Sequence, residues 1–430
     1  MPYDPRPQKP GGAARQPAER LAEAVGLAEA IALEVVAKGL IPLSRRNPAT
    51  LIGSGKVESI ASEVQERDIA LVIIDHALTP GQQRNLEKAL GAKVLDRTGL
   101  ILEIFGERAA TKEGRLQVEL AHLVYQKSRL VRSWTHLERQ RGGAGFLGGP
   151  GETQMEVDRR LLQNRIDAIT SELAQVKRTR ELHRQGRRRV PYPVVALVGY
   201  TNAGKSTLFN RMTGADVLAR DMLFATLDPT MREVVLPSGR RIILSDTVGF
   251  ISELPTSLIA AFRATLEEVT GADLILHVRD IAHAESEAQR ADVATVLGEL
   301  GIRPGEATSN IIEVWNKIDL LSEETRETTQ HRAARAEPAA ATVSAVTGEG
   351  IEALLARIDA ALGAGRQDVV VELEPDLGHL VHWLYEHADV VERLTTDAGQ
   401  LRLRLRIEPE PLARLKARLS SVGEARARFV

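Results

Sequence analysis

The residue spacing points first to phosphate chemistry. Gly199-Tyr200-Thr201-Asn202-Ala203-Gly204-Lys205-Ser206 follows the apolar run VVALV and opens the helix-like stretch TLFNRM. Polyphosphate is densely charged, so a loop that holds it must bring backbone N–H groups close. Glycines at both ends of the loop allow that wrap, and the N-terminus of the following helix adds partial positive charge. In this pattern Lys205 reaches the β- and γ-phosphates, and the Ser206 hydroxyl serves Mg²⁺. Downstream, Asp246-Thr247-Val248-Gly249 follows the apolar run RIILS. A carboxylate at a strand end can hold Mg²⁺ through water, and a glycine N–H can meet the γ-phosphate. Asn316-Lys317-Ile318-Asp319 follows IIEVW and selects the base. The Asp319 carboxylate can accept from both N1–H and the exocyclic amine of guanine. Adenine would leave it unpaired, at a cost of ~1–3 kcal/mol. Ser344-Ala345-Val346, after a short strand-like ATV, offers backbone N–H groups to the guanine carbonyl. These four elements, in this order, imply binding of GTP and GDP.

The loops need strands to position them. Apolar runs of four to six residues alternate with helical stretches over 191–364, which predicts a doubly wound, mostly parallel sheet. Before it, residues 16–108 alternate β and α character, with Leu71 to Ile74 as a buried strand, and predict a small α/β domain. Residues 109–190 read as a long antiparallel helical hairpin. Leu116, Leu120, Leu123 and Leu130 recur on the first helix. Leu162, Ile166, Ile169, Leu173 and Val176 alternate four and three apart on the second, and such a stripe needs a partner helix. The Gly-rich run RGGAGFLGGPGETQ separates the two. Residues 365–430 predict a small α+β domain, and 1–15, rich in Pro, Gly and Arg, a disordered tail. A second glycine loop, Gly53-Ser54-Gly55-Lys56, has Thr50 where a phosphate loop needs its first glycine. It reads as a turn that starts a helix.

Composition sets the outer limits. The 430 residues carry a formal net charge of -2 and no cysteine, so disulfides and thiolate metal sites are excluded and no global field favours nucleic acid. No run of 18 apolar residues occurs. The expectation is a cytoplasmic protein, monomeric and without membrane contact.

Residues 20–365 resemble the HflX family of ribosome-associated GTPases. The G motifs carry part of the resemblance. Gly148-Gly149-Pro150-Gly151-Glu152-Thr153-Gln154 carries more, because it resembles the family's most distinctive signature. IGSGKVESIA resembles its N-terminal domain. Phe224-Ala225-Thr226-Leu227-Asp228, within LFATLDPT, fits its switch I, and the resemblance makes Thr226 the magnesium-contacting threonine. Spacing alone leaves Thr226 and Thr230 open. The resemblance implies GTP hydrolysis with Lys205, Thr226 and Gly249 at the reacting phosphate, Ser206 and Thr226 at the metal, and the large ribosomal subunit and its RNA as partners.

Three expectations follow. Many regulatory GTPases place Gln or His directly after the D-x-x-G glycine to orient water. Here Phe250 stands there, which predicts slow hydrolysis by the chain alone and stimulation by the ribosome, unless another polar side chain acts in its place. Asn202 matches a loop asparagine with which potassium-activated GTPases hold K⁺; the plainer reading is a turn-stabilising residue. The hairpin carries Lys127, Arg129, Arg132, Arg139, Arg141, Arg159, Arg160, Arg165, Lys177, Arg178 and Arg180, either as a solvated face or as an RNA-binding one, with Phe146 at the tip able to stack on a base. The function implied is splitting or rescue of stalled or idle ribosomes. A ribosome-assembly GTPase and a nucleotide-gated RNA-remodelling binder are the alternatives.

Overall fold

The computed structural model describes residues 1–3, 16–43, 45–138, 150–187, 192–214, 224, 226, 229–252, 268–302, 310–336, 338–363, 367–396, 399–407, 409–422 and 427–429. The chain forms two compact units, the first holding 1–186 and 192–355, the second chiefly 356–430.

In the first unit the nucleotide sheet has six strands. Their spatial order is Ala341–Thr342, Ile311–Asn316, Leu274–Asp280, Val194–Gly199, Arg241–Asp246 and Thr230–Val235. The first five run parallel, and the last pairs antiparallel with its neighbour. Val195 to Val198 and Leu276 and Val278 are buried, as expected of strands covered on both faces. Gly199, Asp246, Asp280 and Asn316 all end their strands on the same side, where open α/β sheets bind ligands. The parallel sheet thus agrees with the sequence. The antiparallel edge strand Thr230–Val235, with Val235 58% exposed, lacked an apolar run to announce it.

The N-terminal α/β layer has a helix Pro17–Glu29, a helix Ser54–Glu66, and parallel strands Leu71–Ile74 and Lys93–Asp96 joined through the helix Pro80–Leu90. Local chemistry sets that last helix: Thr79 and Gln82 form a reciprocal capping box, Pro80 opens it, and Gly91 at φ 69° ends it. Gly53 to Lys56 is the first turn of the helix Ser54–Glu66. Pro2–Tyr3 pairs with Ile41–Pro42, so the first residues of the expected tail carry structure; 4–15 lie outside the described residues.

The helices Lys112–Glu138 and Pro150–Arg187 follow. Lys112 pairs with Glu172 at 2.7 Å and Arg165 with Glu119 at 2.7 Å, which sets them antiparallel. Ile169 is fully buried, while Leu162, Ile166, Leu173 and Val176 are half-buried. The second helix starts earlier than the glycines suggest, because Pro150 suits the first helical turn, where its missing N–H costs nothing. Residues 139–149, with Arg139, Arg141, Phe146, Gly148 and Gly149, lie outside the described residues.

The second unit has four antiparallel strands in the order Asp389–Thr395, Leu401–Ile407, Gln367–Leu373 and Ala427–Phe429. Helices Gly378–His387 and Pro409–Val422 pack over a core of Val371, Leu380, Trp383, Leu403, Leu405 and Leu415. Leu401, Leu403, Leu405 and Ile407 alternate with Arg402, Arg404 and Arg406, so one face of the strand is apolar and the other charged.

Candidate nucleotide site

The loop Gly199–Gly204 joins the central strand to the helix Lys205–Thr213. Two glycines have steric reasons to be there. A Cβ at Gly199 would lie 2.1 Å from the Val278 carbonyl oxygen, and one at Gly204, at φ 87°, 2.3 Å from Asn316 Nδ2. Asn202 takes φ 59° in the same turn. The side chains of Tyr200, Thr201 and Ala203 are buried, so the loop backbone rather than its side chains is left to meet a ligand.

Lys205 is buried, and its Nζ donates to the Tyr200 carbonyl at 2.8 Å. Burial pushes its ammonium down to about 8, only partly opposed by Asp246. Asp246 is fully buried and its carboxyl is pushed up, burial outweighing the hydrogen bonds from Ser206 and Thr226.

Three oxygens converge there. Ser206 Oγ lies 2.7 Å and Thr226 Oγ1 2.9 Å from Asp246 Oδ2, and the two hydroxyls are 2.8 Å apart. Asp246 Oδ1 is buried with no hydrogen-bond partner. Hard oxygen donors around an unsatisfied carboxylate suit Mg²⁺, which binds few protein oxygens and completes its shell with water and phosphate. Of the two threonines left open by spacing, Thr226 stands at Ser206, whereas Thr230 begins the edge strand opposite Asp246. Ala225, Leu227 and Asp228 lie outside the described residues, and Phe224 is buried at φ 56°.

After Asp246, Thr247 Oγ1 donates to the Leu197 carbonyl at 2.5 Å and Val248 enters the core. A Cβ at Gly249 would lie 2.9 Å from Thr201 Cγ2 and 3.0 Å from Lys205 Nζ, so only glycine brings this backbone beside the Lys205 ammonium. Phe250 is buried at 2% exposure. Its N–H donates to the Gly199 carbonyl and its carbonyl accepts from the Thr201 N–H, at 3.0 and 2.7 Å. Its ring packs in the core and offers nothing to water.

At the base end, Asn316 Nδ2 donates to the Ala203 carbonyl at 2.8 Å, and its Oδ1 accepts from the Ala345 N–H at 3.0 Å. One buried amide therefore ties the phosphate loop to the Ser344–Val346 loop. Lys317, at φ 66°, is held by Asp280 at 2.8 Å. Ile318 is buried, and Asp319 Oδ1 is a buried acceptor with no hydrogen-bond partner. Ser344 and Ala345 are buried and Val346 is 65% exposed.

Sequence reasoning missed several neighbours. Asp280 ends a strand beside the motif strands, and that position could have marked it. A buried polar cluster behind the site gave no signal. Arg97 Nη2 donates to Glu23 at 2.5 Å, to the Ser252 carbonyl at 3.0 Å and to Ser252 Oγ at 2.9 Å, and Nη1 to Asp75 at 2.5 Å. These carboxylates raise the Arg97 pKa further, against the pull of burial. The Tyr200 hydroxyl accepts from the Ser252 N–H at 2.8 Å and donates to Glu23.

A glycine-cornered phosphate loop, a strand-end aspartate with two hydroxyls beside it, and a guanine-type base motif on one parallel sheet define a P-loop GTPase. Sequence profiles of four families match in order: "GTP-binding GTPase N-terminal" over 18–106, "GTP-binding GTPase Middle Region" over 108–187, "50S ribosome-binding GTPase" over 194–317 and "HflX C-terminal domain" over 329–428. The chain belongs to the HflX family of GTPases. It is 51% identical over 403 residues to the GTPase HflX of Magnetococcus marinus, spanning 94% of this chain and 91% of that one. With the GTPase HflX of Escherichia coli it shares 46% over 361 residues, 84% and 83% of the two chains. A solved GTP-binding protein from Sulfolobus solfataricus, in complex with GDP, aligns at 25% identity and a TM-score of 0.43 over 80% of this chain and 95% of that one. Among the described residues no helix is long and apolar enough to cross a membrane.

Proposed function

We propose that this GTPase works on the large ribosomal subunit, binding in its GTP state, separating the subunits of stalled or idle ribosomes, and leaving after hydrolysis. The observation that carries the reading is the match of the nucleotide domain to the profile described as "50S ribosome-binding GTPase". The hairpin supports it less directly. Arg129 and Arg165 are committed to ion pairs within the chain, while Arg159, Arg160 and Arg178 are exposed on the second helix. Exposed guanidinium groups of this kind suit RNA phosphates.

In the site, the loop amides and Lys205 hold the β- and γ-phosphates, and Asp319 accepts from guanine. Ser206 and Thr226 would hold Mg²⁺, with Asp246 behind them, and the ion would supply neutralising charge at the phosphate oxygens. The Gly249 N–H meets the γ-phosphate. Phe250 gives no help to the attacking water, so turnover is slow until a ribosome supplies the missing order. Asn202 is a candidate for holding K⁺ beside the phosphates, and turnover in KCl above that in NaCl supports it.

Sedimentation with separated subunits tests this function. Co-migration with the large subunit is expected with a non-hydrolysable GTP analogue and is weaker with GDP. Whole ribosomes should separate with GTP, and the subunits should stimulate turnover. Migration with neither subunit in either state sinks the ribosomal reading but leaves the GTPase intact.

A further inference from the structure

The base-binding loop is aimed by a residue that no motif marks. Within 344–348 nearly every amide is already committed. The Ser344 N–H donates to the Glu349 carbonyl at 2.9 Å, and the Gly348 N–H to the Ser344 carbonyl at 2.8 Å. The Ala345 N–H donates to Asn316 Oδ1 at 3.0 Å, and the Thr347 N–H to Ser344 Oγ at 3.1 Å. Among the described residues, only the Val346 N–H of this stretch has no acceptor. A buried base with a carbonyl at C6 needs a donor, and this amide is the one left to give it.

Its direction is set from the phosphate helix. Arg211, in the last turn of Lys205–Thr213, donates from Nε to the Ala345 carbonyl at 3.1 Å and from Nη2 to the Val346 carbonyl. A Cβ at Gly348 would lie 3.8 Å from the Arg211 Cζ, so the guanidinium rests on the loop backbone. In a trans peptide the C=O and the N–H point in opposite directions. Holding the Ala345 carbonyl toward the helix therefore turns the Val346 N–H away from it, while Asn316 fixes the preceding peptide.

We propose that Arg211 is a positioning residue for base selectivity, holding the Ala345–Val346 peptide so that the Val346 N–H meets the C6 oxygen of guanine. This rests on the guanine-site reading above. The two are separable, because Asp319 reads the N1 and C2 edge and Val346 the C6 position.

Calorimetric titration of the full chain with GDP, IDP, 6-thio-GDP and ADP tests it. IDP keeps the C6 oxygen and lacks the amine; 6-thio-GDP replaces that oxygen by sulfur, a weaker acceptor. Arg211→Ala is expected to weaken GDP and IDP by the same factor of about ten, the size of one lost hydrogen bond. The GDP-to-IDP ratio stays as in the wild type, and the advantage of GDP over 6-thio-GDP shrinks. Arg211→Lys, which keeps the charge without the paired donors, falls between. Unchanged GDP affinity in Arg211→Ala overturns the proposal. So does equal weakening of GDP, IDP and 6-thio-GDP, which is what a generally loosened loop would give. A wild-type chain with no preference for GDP over ADP overturns the guanine-site reading itself, and this proposal with it. If Asp319→Asn narrows that preference, the reading stands and the Arg211 variants alone decide.

Discussion

At the scale of single residues, the site holds one buried ammonium and two carboxylates that each keep an unsatisfied oxygen. Lys205 is a buried ammonium whose pKa is pushed down to about 8, and Asp319 and Asp246 each hold a buried oxygen without a partner. The lysine yields a pH dependence with a definite sign. Below about pH 8 it is charged in the empty site and ready for phosphate. Above that it is neutral, while bound phosphates hold it charged, so binding must take up a proton. GDP affinity should be flat up to about pH 7 and weaken toward ten-fold per unit above about pH 8. Titrations at pH 9 in buffers of different ionisation heat should show uptake of about one proton, and Lys205→Ala should show none. A wild-type profile flat to about pH 9 would place the Lys205 pKa near its ordinary value despite its burial.

At the scale of elements, the loops proposed to hold nucleotide also pack against the N-terminal layer. Phe224 lies two residues before Thr226 and packs edge-on against Phe105 of the helix Arg97–Arg108, with centroids 4.7 Å apart. Truncating a buried aromatic removes its transfer energy and leaves a cavity. Phe224→Ala should therefore cost about 3–5 kcal/mol in urea unfolding. It should also free Thr226 from Ser206, and the loss should be read as weaker Mg²⁺ dependence of GTP binding. If stability falls but the Mg²⁺ dependence holds, the Phe224 anchor is structural only. This pairing also shows what the sequence could convey. The parallel strands and the four motifs were legible because each is local: a run of β-branched residues, a glycine at a fixed distance, a carboxylate at a strand end. Phe224 and Phe105 lie more than a hundred positions apart, and nothing in their spacing links them. Spacing alone left Thr226 and Thr230 open; the family resemblance chose Thr226, and Thr230 lies in the antiparallel edge strand. Arg211 was hidden for the same reason: on its helix it is one more basic side chain, and its partners are main-chain carbonyls of a distant loop.

At the scale of the first unit, one core runs through both layers. Leu27, Leu100, Ile101, Ile104 and Phe105 from the N-terminal layer share a cluster with Tyr200, Phe224, Val248, Phe250 and Ile251 from the nucleotide loops. The Arg97 cluster lies beside it and ends on Ser252, three residues past Gly249. The N-terminal layer and the nucleotide domain therefore cannot open separately without exposing this core and breaking the hydrogen bonds that join Arg97 and Glu23 to Ser252 and Glu23 to Tyr200. Replacing Arg97 would in addition leave Glu23 and Asp75 without their cation, at a cost of about 3–5 kcal/mol. A ligand that binds only the folded state stabilises whatever unfolds with its site, by about 2.7 kcal/mol at a hundred times its Kd. Saturating GDP should accordingly slow amide hydrogen exchange at Leu100 to Phe105, which touch no nucleotide, by about the hundred-fold expected for the strand Val194–Gly199. In Arg97→Met the two segments should part, with the strand still protected by GDP and the helix much less so. Equal exchange at Leu100 to Phe105 with and without GDP in the wild type would mean that the N-terminal layer opens on its own, and that the shared core does not carry nucleotide binding into it.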